Sequence, residues 1–249
     1  MIDNPPDGAV LLGRAEPTLN QRPQSMPDTV DALRRVPLFK HLVPDELSRV
    51  GVAARERAYP KNSVILFEDD PGDSLFVVVT GQVKVVLIGE DGREVILAVL
   101  GQGDFFGEMS LIDDEPRSAH VIAMEDSNLL VLRREDFQTA LREHPRIALG
   151  LLRALSRRLR HADDKIGGLV LLDVLGRVAR TLLEMADEEN GTDITKKVTH
   201  HTIAQMVGSS RETVSRTMRE LTERGLVEVT RRNIRIKDRK ALEAAAGLA

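Results

Sequence analysis

One segment in the first half of the chain carries residue types suited to binding a phosphate, reading FFGEMSLIDDEPRSAHV over residues 105–121. Gly107 lets backbone N–H groups approach an anion, and a short helix starting near Glu108 would direct its positive end toward it. Arg117 adds a fixed positive charge with a planar fork of donors, and Ser118 adds a hydroxyl. These residues predict a phosphate-binding cassette.

Glu108 offers the same segment a partner for a sugar, because a carboxylate can accept a hydrogen bond from a ribose hydroxyl. Each of these residues alone is common on solvated loops, but the ordered set between predicted strands is not. We therefore expect one nucleotide-binding site here, formed by Gly107, Glu108, Met109, Ser110, Arg117, Ser118 and Ala119.

A second candidate site lies near the carboxyl end, in THHTIAQMVGSSRETVSRTMREL over residues 199–221. Apolar residues would line the inner face of a first helix. Gly208 suits a sharp turn after it, because glycine tolerates a left-handed backbone. Ser209 or Ser210 can then cap a second helix. The order of helix, tight turn and helix predicts a helix-turn-helix.

The exposed start of the second predicted helix carries side chains that can read base edges. Arginine suits the paired acceptors of guanine, and glutamate can accept from the cytosine amino group. The predicted base-reading residues are Arg211, Glu212, Ser215 and Arg216, and the flanking Thr199, His200, His201, Ser209 and Ser210 complete the predicted DNA-binding surface.

His200 and His201 also raise the question of a metal site. Adjacent residues point in different directions, and no third ligand stands at a suitable spacing. A phosphate-facing or solvent-facing position is the favoured interpretation, and we expect no metal. The six histidines of the chain are scattered, which argues against an enzyme such as a cyclic-nucleotide hydrolase.

Charge is unevenly distributed along the 249 residues. The chain has a formal charge of −4, yet twelve Lys or Arg and five acids between Lys196 and Lys240 give that stretch a charge of +7. A local excess of this kind is typical of a DNA-binding module in an acidic protein. A solvated helical surface is the alternative interpretation.

Composition excludes several classes of site. The chain has no cysteine, which excludes disulfides, thiolate metal sites, cysteine nucleophiles and iron–sulfur clusters. No apolar run reaches the roughly 18 to 20 residues that a membrane span needs. The first residues, MIDNPPDGAVLLGRAEP, lack the features of a secretory signal. We therefore expect a cytoplasmic protein that does not contact a membrane.

The elements that must position these sites fall into four parts, which together predict an α+β fold. Residues 1–27 are rich in proline and predict a flexible arm. Residues 28–135 contain short apolar runs separated by turns with Gly and Asp, which predict an antiparallel sandwich or barrel. Residues 136–169 predict a long helix, and residues 170–249 predict the helix-turn-helix with a two-stranded wing.

Apolar residues in the long predicted helix recur every 3.5 residues, which is the spacing of a coiled-coil seam. A narrow seam of this regularity predicts a homodimer in which the helix pairs with the same helix of a second copy. An amphipathic helix packed on the β-domain is the alternative. The seam consists of Ala148, Leu152, Leu155, Leu159, Ala162, Ile166 and Leu169.

The chain resembles the catabolite-activator/FNR family of bacterial regulators over roughly residues 30–240. The segments that carry the resemblance are PGDSLFVVVTGQVKV, QGDFFGEMSL, EPRSAHV, LLDVLGRVARTLL and VGSSRETVSR. The cyclic-AMP-receptor branch is more similar than the oxygen-sensing branch, which needs cluster cysteines. The resemblance implies a cyclic-nucleotide-binding β-roll or jelly-roll domain, a long dimerisation helix and a winged helix-turn-helix. It also implies a TGTGA-like half-site, RNA polymerase as a partner, and a protein that docks on DNA and bends it.

One position departs from the pattern of the cyclic-AMP-responsive members. In them a Thr-Ser pair on the dimer helix reaches the adenine, whereas the matching residues here are Ala162 and Asp163. An ionised Asp163 only accepts hydrogen bonds and suits the two neighbouring donors of guanine better than adenine. Alternatively, Asp163 faces solvent.

The combined features predict a transcription regulator gated by a cyclic nucleotide. Cyclic AMP is the first choice of ligand, with cyclic GMP, cyclic di-GMP or no ligand as alternatives. We expect nucleotide binding to reorient the recognition helices about a hinge near Gly167 and Gly168, where glycine weakens the helix.

Overall fold

The structure is a computed structural model that describes residues 18–19 and 26–248, except residues 197, 231 and 232. The chain divides into two compact units, Met1–Arg157 and Arg158–Ala249. The predicted arm of residues 1–27 lies mostly outside the described residues. Within it, Thr18–Leu19 forms a short strand and a helix begins at Met26.

Nine short strands and four helices precede the long helix in the described part of the first unit. The helices are α1 (Met26–Arg35), α2 (Pro44–Ala53), α3 (Met109–Asp113) and α4 (Arg134–Glu143). The strands are β1 (Thr18–Leu19), β2 (Arg55–Tyr59), β3 (Val64–Leu66), β4 (Ser74–Thr80), β5 (Val83–Ile88), β6 (Glu94–Leu100), β7 (Phe105–Phe106), β8 (His120–Ala123) and β9 (Ser127–Arg133).

These strands form two antiparallel sheets, as the sequence predicts. One sheet has the order β1-β2-β9-β4-β7 and the other has the order β3-β8-β5-β6. Residues 74–79 of β4 are all buried, because one of its faces packs on the helices and the other packs between the sheets. The β5–β6 hairpin turns at Gly92, whose φ of 77° requires the left-handed region that Asp-Gly turns supply.

The long helix that the sequence predicts over residues 136–169 is divided in the structure. After α4 the chain leaves the helix at His144 and resumes as α5, Pro145–Leu171. Proline restricts the residue before it to an extended backbone, and it fits the first turn of a helix. α5 continues through Gly167 and Gly168, so in this structure the chain leaves the helix beyond the expected hinge.

The second unit contains the carboxyl-terminal part of α5 and a winged helix-turn-helix. Its further elements are α6 (Val174–Glu188), β10 (Asp193–Ile194), α7 (His200–Val207), α8 (Arg211–Glu223), β11 (Val227–Val229), β12 (Ile234–Ile236) and α9 (Arg239–Ala245). The predicted two-stranded wing gains β10 as a third strand, in the order β10-β12-β11. The described chain ends with α9, whose Leu242 is fully buried. No helix among the described residues is long and apolar enough to cross a membrane.

Candidate functional site

The predicted phosphate cassette of the first unit is centred on Arg117, whose side chain lies in the interior and is only 4% exposed. Its Nη1 donates to the carbonyl of Gly107 at 2.7 Å, and its Nη2 donates to the carbonyl of Ser74 at 2.9 Å. Its Nε is buried and has no hydrogen-bond partner among the described residues. A buried donor without an acceptor is costly, so Arg117 has capacity for one more acceptor.

Gly107 is required at its position for two reasons. Its φ is +82°, a conformation that side chains rarely adopt. A Cβ placed there would also lie 2.7 Å from Nη1 of Arg117, closer than such atoms can approach. The glycine therefore lets the backbone lie directly against the guanidinium, whereas the sequence predicted a glycine that lets backbone N–H groups approach an anion.

Burial and charged neighbours of both signs act on Arg117. Burial lowers the pKa of its guanidinium, the carboxylates of Asp73, Glu108 and Asp70 oppose this shift, and the charge of Arg134 adds to it. An anion seated against this group would compensate its lost hydration. The cassette can therefore hold a phosphate, which would accept from the buried Nε of Arg117.

The other predicted residues of the cassette lie around Arg117 in the first unit. Glu108 and Ser110 are each 2% exposed, and Ala119 is also buried. The short helix expected near Glu108 is α3, which begins at Met109. Ser118 donates through its hydroxyl to the sulfur of Met109 at 3.8 Å. The structure thus brings together all seven residues predicted here, whereas Asp163 is an exposed residue of α5 in the second unit.

Three residues at the cassette were missed from the sequence. Ser74 accepts from Arg117, and Gly72 lies so close to Ser110 that a Cβ on Gly72 would be 2.2 Å from the Ser110 Cβ. Arg134 donates to the carbonyls of both Gly72 and Ser110. Gly72 and Ser74 belong to the PGDS turn, whose composition signals a turn but no ligand. The residues next to Arg134 in the sequence do not indicate which groups its side chain contacts.

Both helices of the helix-turn-helix in the second unit have side-chain caps, of which the sequence predicted only that of the second helix. Thr199 accepts from the N–H of Thr202 at 3.0 Å and caps α7. Gly208 ends α7 with a φ of 63°. The sequence predicted either Ser209 or Ser210 as the cap of α8. In the structure the cap is Ser210, whose hydroxyl accepts from the N–H of Thr213.

α8 separates its residues into an inner and an outer face. Val214, Met218 and Leu221 are buried in the core of the second unit. Arg211 and Arg216 are exposed, and neither forms an ion pair with any described residue. Exposed cations that pair with no described residue are available to an external anion, which suits a surface that meets DNA.

The remaining predicted contacts lie close to this face. Glu212 and His201 are exposed, and Ser209 and Ser215 are half-buried. The Nδ1 of His200 lies 3.0 Å from the hydroxyl of Ser215, which joins α7 to α8. Among the described residues no group of three His, Asp or Glu is arranged to hold a metal ion.

Comparison with known proteins matches both units. The cyclic nucleotide-binding domain family matches residues 56–144, and the Crp-like helix-turn-helix domain family matches residues 176–245. The cyclic AMP receptor protein of Thermus thermophilus is 38% identical over 86% of this chain and 98% of its own length. The chain belongs to the Crp/Fnr family.

Two further Crp/Fnr relatives differ in the ligand that their names give. A CRP-like cAMP-activated global transcriptional regulator of Mycobacterium tuberculosis is 31% identical over 87% of this chain and 99% of its own length. The solved structure of CLP, a c-di-GMP-responsive global regulator of Xanthomonas campestris, matches with a TM-score of 0.69 and 26% identity, over 79% of this chain and 100% of that one. This chain is accordingly a Crp-like transcription regulator with a cyclic nucleotide-binding domain, and it is not an enzyme.

Proposed function

We propose that a cyclic nucleotide binds the cassette of the first unit and controls the binding of a homodimer to a two-fold-symmetric DNA site. The observation that carries this proposal is the buried Nε of Arg117, which has no acceptor among the described residues. The phosphate of a cyclic nucleotide supplies an anionic acceptor there. In this assignment residues 28–135 form the sensor and residues 170–249 form the DNA-binding domain.

Cyclic AMP is the proposed ligand. Two relatives that align with most of this chain are named for cyclic AMP. The carboxylate of Glu108 would accept from the ribose hydroxyl, Arg117 would bind the phosphate, and Ser118 would add a hydroxyl. Ala162 and Asp163 are both exposed on α5. Since neither is a hydroxyl residue, cyclic GMP and cyclic di-GMP are the ligands to test against cyclic AMP.

The proposed DNA site is palindromic with a TGTGA-like half-site. Arg211, Glu212, Ser215 and Arg216 lie in the first two turns of α8, where a recognition helix meets base edges. Thr199 caps α7, and His200 and His201 begin it. All three would contact phosphates, as would residues 209–210 before α8. A regulator that binds upstream of a promoter in this way would have RNA polymerase as its further partner.

The proposed homodimer rests on the outer face of α5. Leu152, Leu159, Ile166 and Leu169 are each more than half exposed there, at the spacing of a coiled-coil seam. A contiguous row of exposed apolar side chains marks an interaction surface. A second copy of the same helix covers such a row by symmetry, and it would place two recognition helices for successive major grooves.

Calorimetric titration of the purified protein with cyclic AMP, cyclic GMP and cyclic di-GMP tests the ligand. We expect cyclic AMP to bind, and we expect Arg117→Leu to abolish binding because the phosphate would lose its fixed positive partner. Arg133→Leu removes an exposed arginine from β9 and should bind like the wild type. Selection of DNA sites from a random pool should return a two-fold-symmetric motif that is bound more tightly with the nucleotide.

A ligand-independent regulator is the second candidate. The observation that favours it is that two nitrogens of Arg117 already donate to backbone carbonyls, so the residue also has a structural use. In that case none of the three nucleotides would bind, and the wild type would select the same DNA motif with the same affinity in their absence.

A further inference from the structure

A second arginine lies against the cassette and contacts two of its segments at once. Arg134 is the first residue of α4. Its Nη2 donates to the carbonyl of Gly72 at 2.6 Å and to the carbonyl of Ser110 at 2.7 Å. Gly72 belongs to the loop before β4 and Ser110 belongs to α3, so one nitrogen joins two parts of the chain that are distant in sequence.

The two segments that Arg134 joins are those that surround Arg117. A Cβ on Gly72 would lie 2.2 Å from the Ser110 Cβ and 3.2 Å from Cζ of Arg117. The loop, α3 and the guanidinium of Arg117 are therefore in direct contact. Movement of Ser110 away from Gly72 would open the wall of the cassette.

Arg134 also contacts Asp114, the residue that follows α3, and the backbone of Asp73, which follows Gly72. Its Nη1 pairs with Asp114, which follows α3 in the left-handed conformation. Its backbone N–H donates to the carbonyl of Asp73 at 2.8 Å. Asp114 is largely exposed, so this ion pair contributes little on its own. The two carbonyl bonds are the stronger constraint, since they are charge-assisted and part-buried.

The length of α3 makes this second cation more important. α3 has only five residues, and a macrodipole builds up from many aligned peptides. The attraction of the cassette for an anion must therefore come mainly from arginine side chains, against the nearby carboxylates of Asp70, Asp73 and Glu108. Arg134 is close enough to Arg117 for its charge to lower the pKa of that group.

We propose that Arg134 is a positioning residue of the phosphate site. By bonding the carbonyls of Gly72 and Ser110 it holds the loop before β4 and α3 around Arg117, and its charge adds to the attraction for the anion. This inference rests on the proposed function, since it assigns a residue to the same site. Arg134 itself need not touch the ligand.

The test compares Arg134→Gln and Arg134→Lys with the wild type by calorimetric titration with cyclic AMP at two salt concentrations. Arg134→Gln loses the charge and the planar fork, so we expect affinity to fall about 10-fold or more. We also expect its affinity to depend less on salt than that of the wild type. Arg134→Lys keeps the charge and donor hydrogens, and it should recover part of the affinity and the wild-type salt dependence.

Two control variants separate positioning from a loss of fold. Arg133→Gln removes the exposed neighbouring arginine, and Asp114→Asn removes the ion pair while leaving both carbonyl bonds in place. Both should bind within about twofold of the wild type, as is usual for surface changes. Thermal unfolding of each free variant shows whether the protein is folded at the titration temperature.

The inference is overturned if Arg134→Gln binds cyclic AMP as the wild type does, or if Arg134→Lys recovers neither affinity nor salt dependence. Those results would leave the proposed function intact, because the wild type would still bind the nucleotide and Arg117→Leu would not. A wild type that binds none of the three nucleotides would refute the proposed function, and the inference with it.

Discussion

The Nδ1 of His200 and the hydroxyl of Ser215 lie 3.0 Å apart, and this contact joins the first turn of α7 to the outer face of α8. Both residues are predicted to face DNA. A hydroxyl that is held by an imidazole has a defined direction, whereas a free hydroxyl rotates. The pair therefore links the helix expected on the phosphates to the helix expected on the bases.

We expect His200→Ala to weaken binding to the selected DNA site by about 3- to 10-fold, which corresponds to the loss of one ordinary hydrogen bond. The effect should be largest at the base that Ser215 faces. Fluorescence anisotropy with single-base variants of the site measures this. His201→Ala removes the adjacent, exposed histidine and serves as the control. An equal loss in both variants would show that His200 acts only through general phosphate contact.

Arg211→Ala and Arg216→Ala should each cost about 1–3 kcal/mol per half-site and relax the preference at one base pair, because each removes a donor that reads a base edge. Lys196→Ala is the comparison. Its ammonium pairs with Glu188 at 2.9 Å in the free chain, and its loss should weaken all sequences alike. Competition binding with specific and scrambled DNA distinguishes the two classes. Uniform weakening by the arginine variants would contradict the base-reading assignment.

The seam of α5 can be tested with Leu152→Lys and Leu159→Lys, which place charges on the exposed apolar row. Combined, they should give monomers in sedimentation velocity, because a buried unpaired charge is strongly unfavourable. Leu155 is less suitable, since it also packs against the core of the first unit. Arg157→Glu changes an exposed residue outside the seam and should remain dimeric. A double leucine variant that still dimerises would refute the seam.

Asp163→Ser tests the base of the nucleotide. If Asp163 contacts the ligand, the serine variant should shift preference toward cyclic AMP over cyclic GMP, because a hydroxyl can donate as well as accept. Titration of both nucleotides into both proteins measures this. Affinities within about 0.5 kcal/mol of the wild type would show that Asp163 is an ordinary surface residue.

A partly buried ion cluster joins the end of α5 to α6 within the second unit. Burial raises the pKa of Glu184 above its ordinary 4.5, although His161, Lys165 and Arg180 oppose the shift. At pH values above about 4.5, Glu184 is therefore protonated more often in the native state than in the unfolded state. The contribution of Glu184 to stability is full below about 4.5 and is lost as the pH rises through its native pKa.

Glu184→Gln should remove this loss, so its free energy of unfolding should fall less than that of the wild type as the pH rises above 4.5. Urea unfolding at a series of pH values measures the difference. Glu188→Gln changes an exposed glutamate of the same helix and should keep the wild-type dependence. Parallel curves for Glu184→Gln and the wild type would contradict the assigned shift.

Features that depend on neighbours along the chain could be predicted from the sequence. The turn at Gly92, the left-handed end of α7 at Gly208 and the cap of α8 each follow from the conformational preferences of a few consecutive residues. The division between α4 and α5 belongs to the same class, because it follows from Pro145. The prediction of one helix over residues 136–169 did not take this proline into account.

The sequence by itself predicted the strand-rich and the helical regions, the residues at the start of α8, and most of the residues of the proposed phosphate cassette, because each set lies in a contiguous segment. Only the tertiary structure decided that Ser74, Gly72 and Arg134 belong to the cassette. Their contacts join segments that are brought together by the pairing of β4 with β9. Such contacts involve backbone carbonyls, which every residue has, so no residue type marks them in the sequence.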